Sequence, residues 1–382
     1  MKICLITGSR AEYGLLRQLI YKIKKERKLN LKIIVTGTHL SKKHHYTFKE
    51  IKKDGFHIDK KVNIKIGKNN TENIIKSINR GTLGFISAFK NFLPDVIILL
   101  GDRYEIFAAA ISAHFSRIPI IHIHGGETTE SAVDEALRHA ISKMSHYHFV
   151  AHAKYKQRLI QLGEDKNKIF VVGGMGVDNI KNTKLFSKKE LERKYHFKFN
   201  KKNLIINFHP ETLNKFSAKK QFSELLSAIK TLRDTSLFFT MPNSDLDSDF
   251  ILKMTKGFVK KQSNAFAFTS LGSQGFFSFL KYVDAMVGNS SSGLLEMPSF
   301  KKGTVNIGNR QSGRLKAKSV IDAKANKKNI LKSIKILYSS SFKRKIRTVK
   351  NPYGNGGASR KILSVLVKLK LNNILIKKFH DI

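Results

Sequence analysis

Five short polar stretches interrupt the apolar runs of this 382-residue chain, and each carries residues able to move protons or grip phosphate. They are Gly8-Ser9-Arg10, Gly101-Asp102-Arg103, His122-Ile123-His124-Gly125-Gly126-Glu127, Phe208-His209-Pro210-Glu211 and Gly288-Asn289-Ser290-Ser291-Ser292-Gly293. Asp102, Glu127, Asp134 and Glu135 supply carboxylates, which serve as general acid and base when their surroundings separate their pKa values. The NSSSG run places free N–H groups and hydroxyls ahead of a helical stretch (GLLEMPSF), a pattern suited to phosphate; taken alone it reads as a helix cap. It lacks the GxxxxGK[ST] of a P-loop. Arg10, Arg103, Arg310 and Arg314 add planar donors of the kind that clamp a diphosphate. His122, His124 and His139, with no cysteine partner and no HExxH, read as structural histidines and not as a metal set. Gly174-Met175-Gly176 begins a dinucleotide fingerprint but lacks its third glycine and an acidic ribose ligand, which disfavours a nicotinamide dehydrogenase. What remains is a site for a phosphate-bearing ligand with acid and base groups opposite.

The elements that must position these loops are legible from hydropathy. KICLITGS, LKIIVTGTHL, PDVIILLGDR and IPIIHIHGG read as strands, alternating with amphipathic runs such as LLRQLIYKIKKE and YEIFAAAISAHFSR. Nearly continuous apolar strands between helices are what a parallel sheet covered on both faces requires. Within IPIIHIHGG, alternation predicts that His122 and His124 face one way, toward Asp102. The pattern restarts after the Gly173-Gly174-Met175-Gly176 turn with NLIINFHP, SLFFTMP, AFAFTS, VDAMVGNSSSG and TVNIG. Two doubly wound units are expected, 1–175 and 176–358, followed by a basic, apolar terminal helix over 359–382 that packs on a domain or lies on a membrane surface. Ligands in open α/β sheets bind outside the carboxyl ends of the strands, so two sheets facing one another would bring all five loops to one cleft.

Composition bounds the remaining classes. Lys+Arg 71 against Asp+Glu 28 gives 71 − 28 = +43, yet the charge is scattered in pairs such as Lys24-Lys25, Lys188-Lys189 and Lys301-Lys302. That distribution coats solvent faces, and with no zinc finger or RNP-like pattern no specific nucleic-acid partner is expected. Cys4 is the single cysteine, which suits a reducing compartment, and cytoplasm is expected. No run reaches the roughly 18 to 20 apolar residues of a membrane span, and the N-terminus has no signal-peptide pattern.

Taken together, the motifs resemble a known family. ITGSRAEYG, TGTHLS, LLGDRYE, HIHGGETTE with VDEALRHAISKMSH, LIQLGEDKNKIFVVG, FHPET, MPN, VGNSSSGLLE and IGNRQSGR run in order from residue 3 to about residue 370. In this they resemble the hydrolysing UDP-N-acetylglucosamine 2-epimerases of sialic-acid biosynthesis. The resemblance implies an α/β, glycosyltransferase-B-like architecture: two Rossmann-like doubly wound domains facing a cleft, with the C-terminal helix crossing back to the first. It implies a nucleotide-sugar ligand, no cofactor, no metal, and a homo-oligomer, dimer or tetramer. The implied reaction turns UDP-N-acetylglucosamine into N-acetylmannosamine and UDP: a base takes the C2 proton as UDP leaves C1, giving a 2-acetamidoglucal, and water then adds at C1 while C2 is reprotonated on the other face. Asp102, Asp134 and His209 match catalytic positions. Ser290, Ser291 and Arg310 match diphosphate contacts, Glu296 the ribose contact, Arg10 and Arg103 arginines near diphosphate and sugar, and Asn243 the base contact. Several members carry glutamate in HI-x-GG where this chain has His124, so the missing proton-transfer role falls to His124 or Glu127. Alternatives are a hydrolysing 2-epimerase of a UDP- or GDP-linked diacetamido-trideoxy hexose, as in legionaminic-acid synthesis, a non-hydrolysing epimerase, and a non-catalytic protein that binds anionic surfaces.

Overall fold

The computed structural model describes residues 1–67, 70–130, 132–210, 215–241 and 248–382, with the backbone alone for 215–217 and 248. The chain divides into two compact units. The first holds Met1–Glu127, Asp134–Asn179 and Gly356–Ile382; the second holds Thr128–Val133 and Ile180–Asn355.

In the first unit, strands β1 (Lys2–Thr7), β2 (Asn30–Val35), β3 (Lys60–Lys61), β4 (Val96–Leu100), β5 (Ile120–Ile123), β6 (Tyr147–Val150) and β7 (Ile169–Val171) form one sheet in the order β3-β2-β1-β4-β5-β6-β7. Neighbouring strands pair in parallel. The two faces are visible in β1 alone. Ile3 and Leu5 enter a core with the helices Arg10–Lys25 and Ala358–Leu366, while Cys4 and Ile6 enter another with Thr71–Phe92 and Tyr104–Phe115. Burial on both faces is why β4 can read VIILL without a polar residue. Each such Ile or Leu taken from water contributes about 1.5–3 kcal/mol before chain entropy is charged against it.

The C-terminal run corrects the expected helix over 359–382. The helix covers Ala358–Leu366 only, because from Val367 to Leu371 the apolar residues alternate with period two, and Asn373 takes a left-handed φ of 53°. Its apolar face does not lie on a membrane: Ala358, Ile362 and Leu366 are core residues of the first unit. The Asp178 carboxylate receives the N–H groups of Gly357 (2.6 Å) and Ser359 (2.9 Å), so the returning chain is anchored where that helix starts.

The second unit repeats the plan. Strands β8 (Lys202–Asn207), β9 (Thr235–Thr240), β10 (Ala265–Phe268), β11 (Ala285–Gly288), β12 (Gly303–Ile307) and β13 (Val320–Ala323) form a parallel sheet in the order β10-β9-β8-β11-β12-β13. One face is filled by phenylalanine. Phe197 lies 4.8 Å from Phe238 and 5.1 Å from Phe279, ring centre to ring centre, within the range aromatic pairs favour. No helix among the described residues is long and apolar enough to cross a membrane.

Candidate functional site

At the carboxyl ends of β4 and β5 the first unit assembles a charge network. Asp102 follows β4, and its Oδ2 pairs with Nη2 of Arg138, a side chain only 2% exposed. Nη1 of the same guanidinium donates to the Glu127 carbonyl (2.9 Å) and to Oε2 of Glu135 (2.5 Å). Arg138 lies on the helix Asp134–Met144, one turn beyond Asp134, which opens that helix half-buried. Burial works against the guanidinium charge, but Asp102, Glu127 and Glu135 outweigh it and push the group further up. A buried charge is tolerated only when paired in this way. Arg138 was not singled out in the sequence. Its position three residues after Glu135, on the face that meets the strand ends, was the available signal.

The two histidines of β5's end do not share a face, contrary to the expectation from alternation. β5 stops at Ile123, and His124 adopts a left-handed φ of 68°, so the period-two rule no longer applies to it. His122, fully buried, donates from Nε2 to the Gly101 carbonyl (2.7 Å), and its Nδ1 meets the Ser142 hydroxyl (2.9 Å). Burial pushes it down to about 3, so it stays neutral and supports the loop that presents Asp102. His124 instead accepts the Met175 N–H at Nε2 (3.3 Å), and its Nδ1 stands 3.0 Å from Oε1 of Glu127, an ion-pair distance. Glu127 is 3% exposed, with its carboxylate beside the imidazole.

A second acidic pair, absent from the sequence reading, lies under the end of β1. Arg103 donates from Nε to Oε1 of Glu105 (2.8 Å) and stands 3.9 Å from Oε1 of Glu12, whose other oxygen takes the Gly8 N–H at 2.7 Å. Burial first, and the Glu105 carboxylate second, raise the Glu12 acid to about 8. Arg10 opens the helix after β1 and is half-buried.

The second unit gathers its residues differently. β8 and β11 lie side by side, and at Gly288 (φ 148°) a Cβ would come within 2.0 Å of the Asn207 carbonyl oxygen, so only glycine permits this approach. The next residue, Asn289, is fully buried and clamps the His209 peptide from both sides: its Oδ1 accepts the His209 N–H (2.7 Å) and its Nδ2 donates to the His209 carbonyl (2.9 Å). The Asn289 carbonyl in turn accepts from Gln311 (2.7 Å) and from Nη1 of Arg310 (3.3 Å). Ser290 is buried and its Oγ accepts the Ser292 N–H (3.3 Å), while Ser291 precedes the following helix without a side-chain capping bond. The helix expected over GLLEMPSF is a single α turn, Ser292–Leu295, continued by a 3-10 turn at Met297–Phe300, because Pro298 has no N–H to extend it. Glu296 sits buried between the two turns. Asn289 thus brings His209, Ser290 and Arg310 together, a role the sequence did not assign it. Arg314 holds Thr128 and Thr129, donating from Nε to the Thr128 carbonyl and from Nη2 to the Thr129 hydroxyl, each at 3.1 Å. Asn243, the expected base contact, lies outside the described residues. Among the described residues no group of three His, Cys, Asp or Glu side chains is arranged to hold a metal ion.

Comparison with known proteins adds a second line of argument. Residues 21–367 match the family model described as UDP-N-acetylglucosamine 2-epimerase. Along its full length the chain is 40% identical to the GDP/UDP-N,N'-diacetylbacillosamine 2-epimerase (hydrolyzing) of Campylobacter jejuni, covering 99% of that protein. It is 39% identical to the polysialic acid biosynthesis protein P7 of Escherichia coli, over 100% of this chain and 97% of the relative. Among solved structures, the UDP-GlcNAc 2-epimerase of Neisseria meningitidis bound to UDP-GlcNAc shares the fold, with a TM-score of 0.82 at 20% identity over 97% of this chain and 100% of that one.

Proposed function

Because this chain belongs to the UDP-N-acetylglucosamine 2-epimerase family, we propose that it is a hydrolysing 2-epimerase whose substrate is a nucleotide-linked N,N'-diacetylbacillosamine. The observation that carries the chemistry is the cluster at the ends of β4 and β5, where the buried Arg138 pairs with the Asp102 carboxylate and bonds the Glu127 carbonyl while the buried Glu127 carboxylate lies beside His124. Epimerisation at C2 requires one group to remove the proton and another to return it on the opposite face. Glu127, oriented by His124, takes the C2 proton; the C1–O bond breaks and its electron pair leaves with the nucleoside diphosphate. Water then adds its oxygen to C1 of the glycal and a proton reaches C2 from the other side, with Asp102, Asp134 and His209 as the remaining proton-handling groups. The free sugar leaves as the C2 epimer. No net oxidation occurs, so the reaction calls for no redox cofactor. Ser290, Ser291 and Arg310 stabilise the departing diphosphate, Glu296 holds the ribose, Asn243 contacts the base, and Arg10 and Arg103 steady the sugar end of the diphosphate.

The choice of sugar rests on the 40% identity to the C. jejuni enzyme along the whole chain. UDP-N-acetylglucosamine is the second reading, favoured by the family model, described as UDP-N-acetylglucosamine 2-epimerase, that residues 21–367 match. Incubation with UDP- and GDP-linked diacetylbacillosamine and with UDP-N-acetylglucosamine, with released nucleotide assayed and sugars resolved by proton NMR, tests both. Release is expected fastest from a diacetamido substrate. Preference for UDP-N-acetylglucosamine would move the assignment to the second reading, and release from none of the three would end it.

A further inference from the structure

The helix Asp134–Met144 carries Asp134, Glu135 and Arg138 at its start, and its far end is held by a residue more than two hundred positions later. The last carbonyls of any helix lack intrahelical partners and form the negative end of its dipole. Here the Lys377 ammonium fills that end, donating to the carbonyls of Lys143 (2.5 Å) and Ser145 (2.6 Å). The ammonium also stands 2.7 Å from Oε2 of Glu164, an ion pair. Glu164 is itself 1% exposed; it hydrogen-bonds Nε2 of His148 (2.9 Å) and lies 3.2 Å from the Lys143 ammonium. Without Lys377 this buried carboxylate would lose one of the two ammonium groups beside it, and the carbonyls of Lys143 and Ser145 would lose a donor.

The residues around Lys377 dock with it. Tyr147 donates to the Lys370 carbonyl (3.2 Å), His380 donates its N–H to the Gly163 carbonyl (3.1 Å), and the Lys143 ammonium lies 4.5 Å from the centre of the Phe379 ring. A Cβ on Gly163 would come within 2.5 Å of that ring, so the contact needs glycine there. The segment after the terminal helix is therefore a strap laid across the first unit, with the half-buried Lys377 as its pin.

We propose that Lys377 is a positioning residue for the reaction: by pinning the end of the helix Asp134–Met144 through the carbonyls of Lys143 and Ser145 and the Glu164 carboxylate, the strap sets where Asp134 and Arg138 stand at its beginning. The inference rests on the function proposed above. An 11-residue helix is a rod about 16 Å long, short enough for a shift at one end to be felt at the other. Misplacement of catalytic groups by about 1 Å is costly to rate, while nucleotide contacts in the second unit are untouched.

The test compares wild type with Lys377→Met and the charge-keeping Lys377→Arg, all well below their melting temperatures. Hydrogen exchange of the amides of residues 139–145 should quicken roughly tenfold in Lys377→Met. Its kcat for nucleotide release should fall by roughly tenfold at an unchanged UDP dissociation constant, and Lys377→Arg should recover most of the loss. Unchanged exchange would overturn the strap, and quickened exchange with wild-type kcat would overturn the positioning role. If wild type releases nucleotide from no substrate, the functional reading fails while the exchange measurement still judges the strap. Should Lys377→Met fail to fold, Phe379→Ala loosens the strap without uncovering Glu164, and the same outcomes apply.

Discussion

The strand ends of the two units solve different problems with different residues. In the first, the buried Arg138 pairs with the half-buried Asp102 and Glu135 carboxylates and holds the Glu127 carbonyl, and Glu12, Glu105 and Arg103 form a second ionic cluster. In the second, the organising side chain is an uncharged amide, Asn289, fixing the His209 peptide and presenting its own carbonyl to Gln311 and Arg310. Charges in a low-dielectric site shift one another's proton affinity, which is what acid and base catalysis needs, at the cost of desolvation. An amide clamp fixes backbone geometry without adding a field, which suits a surface that must receive an anion. The contrast accords with the proposed reading, in which the carboxylates of the first unit handle protons and Ser290, Ser291 and Arg310 of the second hold the diphosphate, with His209 the one proton-handling group proposed there.

Substitutions that separate rate from affinity would sharpen or break that contrast. The largest effect is expected from Glu127→Gln, which keeps the size of the side chain but cannot take a proton: kcat should drop by about 10²-fold or more with UDP affinity unchanged. Deuterium uptake at C2 from heavy water should vanish with it. His124→Ala should cost less, since that ring orients the carboxylate; a greater loss than in Glu127→Gln would transfer the base role to the histidine. Next comes Arg310→Ala, expected to weaken UDP binding by about 1.5–3 kcal/mol, or roughly 10- to 100-fold. Calorimetry with an undiminished UDP affinity would remove the second unit from nucleotide binding.

The smallest effect concerns pH. Glu12 keeps its proton in the folded protein up to about 8, whereas an ordinary glutamic acid loses it near 4.5. Its contribution to stability is therefore complete below about 4.5 and is lost as the pH rises through about 8, because the unfolded chain gains the ionised form first. Glu12→Gln, permanently neutral, should gain in melting temperature relative to wild type as the pH is raised from 5 to 8. A difference that stays constant over that range would mean that Glu12 does not hold its proton in this way.

How far the sequence could be read depended on the range of the interaction. Strands such as VIILL and NLIIN, and the loops that follow them, were legible because burial on both faces leaves a local signature. The pairing of Glu12 with Glu105 through Arg103 was not, since nothing local in either segment points to the other. His124 misled because alternation holds only inside a strand, and the strand ends one residue before it. The terminal run misled because its composition is helical and basic while its spacing after Leu366 is not. Asn289 reads in the sequence as part of a phosphate-binding turn, yet its side chain holds the His209 peptide just after β8, which only the β8–β11 pairing brings beside it.

The return of residues 356–382 to the first unit makes the second unit, apart from Thr128–Val133, an insertion between two parts of one fold. During synthesis the ribosome delivers β1 to β7 early, but Ala358, Ile362 and Leu366, which close the core beside β1, arrive only after every strand of the second sheet has been made. The nascent first unit must wait with that apolar face uncovered, at chain-elongation rates of about 5–20 residues per second, for some ten seconds or more. Completion of the first unit is thus deferred until the whole second sheet has been made.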